Sequence, residues 1–225
     1  MKQCVSLLLA LCLLFALAAP AWAEPVVWTE ADSPKTTSEL LDAGEVEIRG
    51  TVTVTSNSWS TSASLSILLN GTMVMEEADG ISPFFRIVKL SIDGSGGPKG
   101  QGVIINGAIR ASTEMSLCNV QIQGTVASSE DPVYLEIGAT LTLSGKVTVI
   151  RNQQTDGTER NIYLAKGAKI KVAEGFSLDS RIGVTLAPDY AEGNENAAFI
   201  VDENGNPLTA AQLGNCFYQD GDPDT

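Results

Sequence analysis

Histidine is missing from the 225-residue sequence. Its absence excludes His-based catalytic triads, His-ligated zinc or haem, and imidazole acid–base chemistry within this chain. Positive charge is scarce: 14 Lys and Arg stand against 27 Asp and Glu, a formal net charge of −13. A nucleic-acid binder needs a basic face to neutralise phosphates, so that class is excluded too. Helical periodicity is also nearly absent beyond residue 23, where short alternating runs take its place. What is present is globular in kind, 44% hydrophobic and 18% charged. The length suits one large or two small domains.

Residues 1–23 read as a secretory signal. Lys2 gives a basic start, Val5 to Ala19 is an apolar run, Pro20 breaks it, and Ala21-Trp22-Ala23 forms a small-residue cleavage site. The run is short for a membrane span, and none is expected once the signal is removed. Cleavage would leave Glu24 first and would take two of the four cysteines. Export permits a disulfide between Cys118 and Cys216. Cys118 lies in a strand-like run, where a buried free thiol is the competing expectation.

From Val46 onward apolar residues alternate with polar ones, and Gly, Asn, Asp and Ser cut the runs. Val46, Ile48, Val52 and Val54 begin the series. Leu65, Ile67 and Leu69 follow, with Met73 and Met75, then Val88, Leu90 and Ile92, then Val103 and Ile105. Period-two alternation with β-branched enrichment predicts strands. Residues 134–143 (YLEIGATLTL) align with 163–172 (YLAKGAKIKV) at an offset of 29, and the apolar phase places Val147 over Phe176 and Val149 over Leu178. A fixed offset of this size is the mark of a solenoid, in which each coil buries its apolar face on its neighbours. Thr36 to Gly44 reads as one short helix with an N-cap, a Leu pair and a stopping Gly. It is expected to cover the exposed first coil.

The segments Tyr163-Leu164-x-x-Gly167-Ala168-x-Ile170-x-Val172 and Ile182-Gly183-Val184-Thr185-Leu186 resemble the coil pattern of right-handed parallel β-helix repeat proteins, the adhesin-like secreted and surface proteins of gut bacteria. Leu41-Asp42-Ala43-Gly44 followed by Val46 and Ile48 is similar to the way such helices begin. The resemblance implies an all-β right-handed parallel β-helix with a short N-terminal capping helix. The expected division is a signal peptide over 1–23, an N-terminal segment and capping helix over 24–44, the β-helix over 45–187, and a C-terminal cap with an acidic tail over 188–225.

Candidate chemistry is sparse. β-Helix polysaccharide lyases and galacturonan hydrolases use clustered Asp or a basic strand. Here Arg86, Lys89 and Asp93 share one run, but scattered charges of this kind are ordinarily a solvated face. No catalytic residue is assigned, and no metal or cofactor is expected. Asp220, Asp222 and Asp224 alternate as Ca²⁺ ligands can, without the further ligands such a loop needs. The glycine-rich stretch 95–102 lacks the Gly-Lys-Ser/Thr of a phosphate loop and reads as a flexible bulge. Asn57, Asn106, Asn119, Asn152 and Asn161 sit at or near breaks, as corner ladders or, the favoured reading, ordinary turn residues. Trp59, in a Ser/Thr stretch, is a candidate glycan platform or, equally, a cover for the end of the solenoid. Tyr134 and Tyr163 fall one repeat apart. Facing outward they would form a ladder that stacks on a sugar; facing inward they would be packing, the reading favoured for repeated aromatics.

The expected function is therefore a non-enzymatic, secreted or cell-surface, adhesin-like module contacting a polysaccharide or a surface protein. The alternative is a polysaccharide lyase or glycoside hydrolase on the same fold.

Overall fold

The computed structural model describes residues 24–55, 64–76, 84–127, 132–190 and 199–221. The expected signal peptide, Asn57 and Trp59 lie outside the described residues, as do Asp222 and Asp224.

Alternation becomes extended backbone almost throughout. Chain order begins with β1 (Val26–Trp28), β2 (Lys35–Thr36), α1 (Thr37–Ala43), β3 (Glu45–Thr55), β4 (Ser64–Glu76) and β5 (Phe84–Asp93). Next come β6 (Gly102–Ile105), β7 (Ala108–Cys118), β8 (Val120–Gln123), β9 (Val126–Ala127), β10 (Val133–Leu135), β11 (Thr140–Ser144) and β12 (Thr148–Ile150). The chain continues through β13 (Gln153–Gln154), β14 (Ile162–Leu164), β15 (Lys169–Val172), β16 (Arg181–Leu186) and β17 (Ile200–Val201), then α2 (Ala210–Leu213) and β18 (Phe217–Gln219). In β4 every second residue from Leu65 to Met75 is buried. This is the period-two geometry of a strand with one face on the core.

The pairing corrects the expected solenoid. β4 pairs with β5 through residues 64–68 and with β6 through residues 72–74. From β6 the ladder passes to β8, β12, β16, β14, β10, β7 and β5, and so returns to β4. The sheet thus closes into a nine-stranded parallel barrel, with β1, β2, β3, β11, β15, β17 and β18 attached to it. It is not a right-handed parallel β-helix with a capping helix. The physical reason lies in strand length. β3, β4, β5 and β7 run 10 to 13 residues through positions that read as breaks. β4 and β7 pair a different neighbour with each half, so the ladder meets itself. Gly50 and Gly71 show how a strand passes such a break. Gly50 takes φ 74°, and a Cβ on Gly71 would stand 2.0 Å from the Gly50 carbonyl oxygen. Only glycine at 71 allows that backbone contact.

The 29-residue repeat survives as register. Tyr134 pairs with Tyr163, and Leu141 and Leu143 pair with Ile170 and Val172. It ends at Gly175. Val149 pairs with Ile182 rather than Leu178, which is 63% exposed. Two inward positions also differ from expectation. A bulge between Ile87 and Lys89 buries Ile87 in place of Val88. In β6 the buried residue is Ile104, with Val103 and Ile105 facing outward.

The helix has a different role from the one expected. α1 carries a capping box, in which Thr36 Oγ1 accepts from Glu39 N–H at 3.2 Å and Glu39 Oε2 accepts from Thr36 N–H at 2.9 Å. It sends Leu40 into the core with no exposed surface. The outer edge of β3 is covered instead by β1 and β2. Between them Glu30 Oε1 accepts from Thr51 N–H at 3.2 Å, and Ser33 Oγ accepts from Thr53 N–H at 3.0 Å. Strand and side-chain acceptors therefore blunt this edge.

One row of bends carries an unusual residue. Ile105, Gln123 and Ile150 lie side by side, and each is followed by a left-handed residue: Asn106 at φ 60°, Gly124 at 75° and Arg151 at 58°. Asn and Gly adopt this conformation readily, whereas other L-residues pay about 1–2 kcal/mol.

The inward phase can be tested at β11. Leu143 is fully buried, while Thr142 beside it faces outward. Leu143→Asp should cost several kcal/mol through an unpaired buried carboxylate. Thr142→Asp should cost under about 1 kcal/mol. Thermal denaturation of the two variants checks the difference; equal losses would refute the assigned phase.

Candidate functional site

Parallel register aligns like positions of successive strands, so outward side chains form rows. One row contains Glu45, Ser66, Ser91, Ser116, Thr142 and Lys171, crossing β3, β4, β5, β7, β11 and β15. The row beside it contains Ser64, Lys89, Glu114, Thr140 and Lys169. All of them except Lys169 line a shallow groove of about 590 Å³, with the buried Leu65, Leu90 and Met115 beneath it. Lys89 and Glu114 neutralise each other at 3.0 Å. The remaining charges sit at the ends, Glu45 at one and Lys171 at the other.

Tyr134 and Tyr163 are brought together as the repeat requires. Their rings stack with centroids 5.1 Å apart and planes 17° from parallel. They face outward, since Val133, Leu135, Ile162 and Leu164 around them are the buried residues. The expected inward packing is therefore not what forms. The ring faces are nonetheless occupied. Arg110 lies 4.3 Å from the Tyr134 centroid and is fixed by Glu136 at 2.9 Å. Arg160 lies 5.7 Å from the Tyr163 centroid. Cation–π contacts and mutual stacking thus take up faces that a sugar would need.

Asn152 and Asn161, which the sequence left as corner-ladder or turn residues, begin a polar chain that runs from the interior to half-buried Asp220. Asn152 and Asn161 have no exposed surface. Asn152 Oδ1 accepts from Thr125 N–H at 3.1 Å, and Asn152 Nδ2 donates to Asn161 Oδ1 at 3.0 Å. Asn161 Nδ2 faces Asp220 Oδ1 at 2.6 Å and Glu159 Oε1 at 3.0 Å. Asp220 Oδ2 accepts from Asn161 N–H and from Thr185 Oγ1, each at 2.9 Å. Tyr218 Oη donates to Glu159 Oε1 at 3.1 Å. Gly183 makes this possible: a Cβ there would stand 2.1 Å from Asp220 Oδ1 and 2.3 Å from Asn161 Nδ2. Glu159 and Asp220 share one amide, but both Asp220 oxygens are engaged in fastening β18 to β14 and β16. The pair is built as a clasp. Burial, then the Glu159 carboxylate, pushes the Tyr218 phenol well above its ordinary value and keeps it a donor.

The other candidates disperse. Lys89 belongs to its ion pair with Glu114, whereas Asp93 accepts from Ser95 N–H at 2.9 Å and Ser95 Oγ at 2.5 Å. Lys89 and Asp93 thus serve separate local contacts. Cys118 and Cys216 are both free thiols. The glycine-rich stretch is packed rather than bulging, because a Cβ on Gly96 would meet Asn70 at 2.1 Å and one on Gly102 would meet the Leu69 carbonyl oxygen at 2.4 Å. Among the described residues no group of three or more Cys, Asp or Glu could hold a metal ion. No described helix is long and apolar enough to cross a membrane.

The clasp has a pH signature. Burial pushes the Asp220 carboxyl above the ordinary aspartate value, against the lowering by its Asn161 and Thr185 donors. A raised folded-state value means that the contribution is fully present below the ordinary value of 3.8 and is lost as pH rises through the folded one. The Tm difference, wild type minus Asp220→Asn, should therefore shrink as pH rises from about 3.5 to 7. Melts of both proteins across that range measure it, and a difference that widens would contradict the assignment.

No protein-family model, curated protein or solved structure matches this chain.

Proposed function

We propose that this protein is an exported, non-catalytic surface module whose groove holds an extended glycan. The observation that carries this reading is the in-register row of Ser66, Ser91, Ser116 and Thr142 within the groove. Neighbouring strands repeat every ~4.8 Å. One hexose of an extended chain advances by a similar length, so successive sugars meet equivalent hydroxyls.

The placement of carboxylates supports binding over cleavage. Glu45 and Glu114 stand three strands apart, about 14 Å at the usual strand spacing. Hydrolases that use two carboxylates hold them ~5–9.5 Å apart. Glu114 is also held by Lys89. Export rests on the apolar run and the Ala21-Trp22-Ala23 cleavage site.

Affinity electrophoresis through gels containing single polysaccharides tests the reading. At least one gel should retard the wild type. Ser91→Trp, which fills the groove from an exposed position, should lower that affinity at least 10-fold with an unchanged Tm. The bound polysaccharide should show no steady release of reducing or unsaturated ends. Full retention by Ser91→Trp, or continuous product release, would overturn the proposal.

A further inference from the structure

On another face, a hollow of about 370 Å³ is lined by Ile150, Arg151, Glu159, Arg181 and Tyr218. Two guanidiniums share it in a protein where acids outnumber bases almost two to one. Among the described residues neither has a carboxylate within 4.0 Å or a hydrogen-bond acceptor on the protein. Both residues are exposed. Arg181 is nevertheless oriented, its guanidinium lying 5.1 Å from the centre of the Tyr218 ring. Arg151 occupies the left-handed bend that the neighbouring strands fill with Asn106 and Gly124. Glycine would fit that bend without strain, so the backbone gives no reason for arginine there. Its side chain lines the same hollow as Arg181.

We propose that this hollow binds a carboxylate-bearing sugar unit, with Arg151 and Arg181 taking the carboxylate and Glu159 taking a sugar hydroxyl. A guanidinium presents paired N–H donors that match the two oxygens of a carboxylate. Glu159 makes the site more selective than a bare cationic patch. Its Oε1 is occupied by Asn161 and Tyr218, which leaves Oε2 as the acceptor for a hydroxyl in the hollow that Glu159 lines with the arginines. An anion without hydroxyls would meet that carboxylate as a repulsive neighbour. An acidic sugar meets it with a donor. The volume lies within the range of small-ligand sites, ~300–1,000 Å³. The site lies apart from the groove and stands or falls independently of it.

Calorimetric titration of the full chain with a glucuronate-containing oligosaccharide tests the assignment. Binding should be saturable and weakened by salt, and the corresponding neutral glucose oligomer should neither bind nor compete. Arg151→Gly should lower affinity at least 10-fold while its Tm stays equal to or above that of the wild type, since glycine suits the bend. Arg181→Lys, which keeps the charge but loses the paired donors, should also weaken binding. Unchanged affinity in Arg151→Gly would overturn the proposal. So would equal binding of the neutral oligomer, or displacement by inorganic sulfate at concentrations comparable to the acidic sugar.

Discussion

Register is the constraint on which the rest of this structure depends. Every strand of the barrel pairs in parallel with its neighbours, and inward residues meet inward residues at each step: Val46 beside Ile67, Leu90 beside Met115, Leu141 beside Ile170. A slip by one residue would turn a whole strand's apolar set toward water. The core therefore fixes register, and fixed register in turn aligns the outward rows. The hydroxyl row of the groove and the stacked tyrosines are by-products of a requirement imposed from inside.

Much of the fold was legible because alternation is a local signal. The strands, the buried faces of β3, β4 and β11, the α1 helix and the Tyr134–Tyr163 pairing all follow from patterns a few residues wide. What those patterns cannot contain is how far a strand continues through a bend. Gly71 looks like a break, yet β4 passes through it because the Gly50 carbonyl needs the space a side chain would fill. Strand continuity of this kind decides whether pairing stays an open stack or closes. That is why the solenoid expectation gave way to a barrel. The bulge at Ile87 and the end of the repeat at Gly175 escaped for a similar reason, since each is a one-site departure from an otherwise faithful period.

The sites were less legible. Tyr134 and Tyr163 were found through the repeat, but the arginines covering their faces come from residues 110 and 160, which carry no motif. The clasp joins Asn152, Asn161, Thr185, Tyr218 and Asp220, residues scattered over nearly seventy positions. Asp220 read as part of an acidic tail, and only the docking of β18 against β16 brings it, half-buried, against Asn161. Gly183 was a signal in plain sight: a glycine inside an otherwise regular strand marks a close approach. Arg151 could not be noticed without φ angles, because its oddity is conformational rather than chemical.

Closure of the ring has a consequence for how the chain reaches its native state. In many barrels the first and last strands must find each other across the whole sequence. Here each strand of the ring joins partners only a few dozen residues away, β4 with β5 and β6, β16 with β12 and β14. Closure therefore needs no search between distant ends, and the entropy of joining any one pair stays that of a modest loop. A chain arriving from its N-terminus can add each strand to a template already laid down. The molecule gains a continuous sheet while keeping the assembly order of something built row upon row.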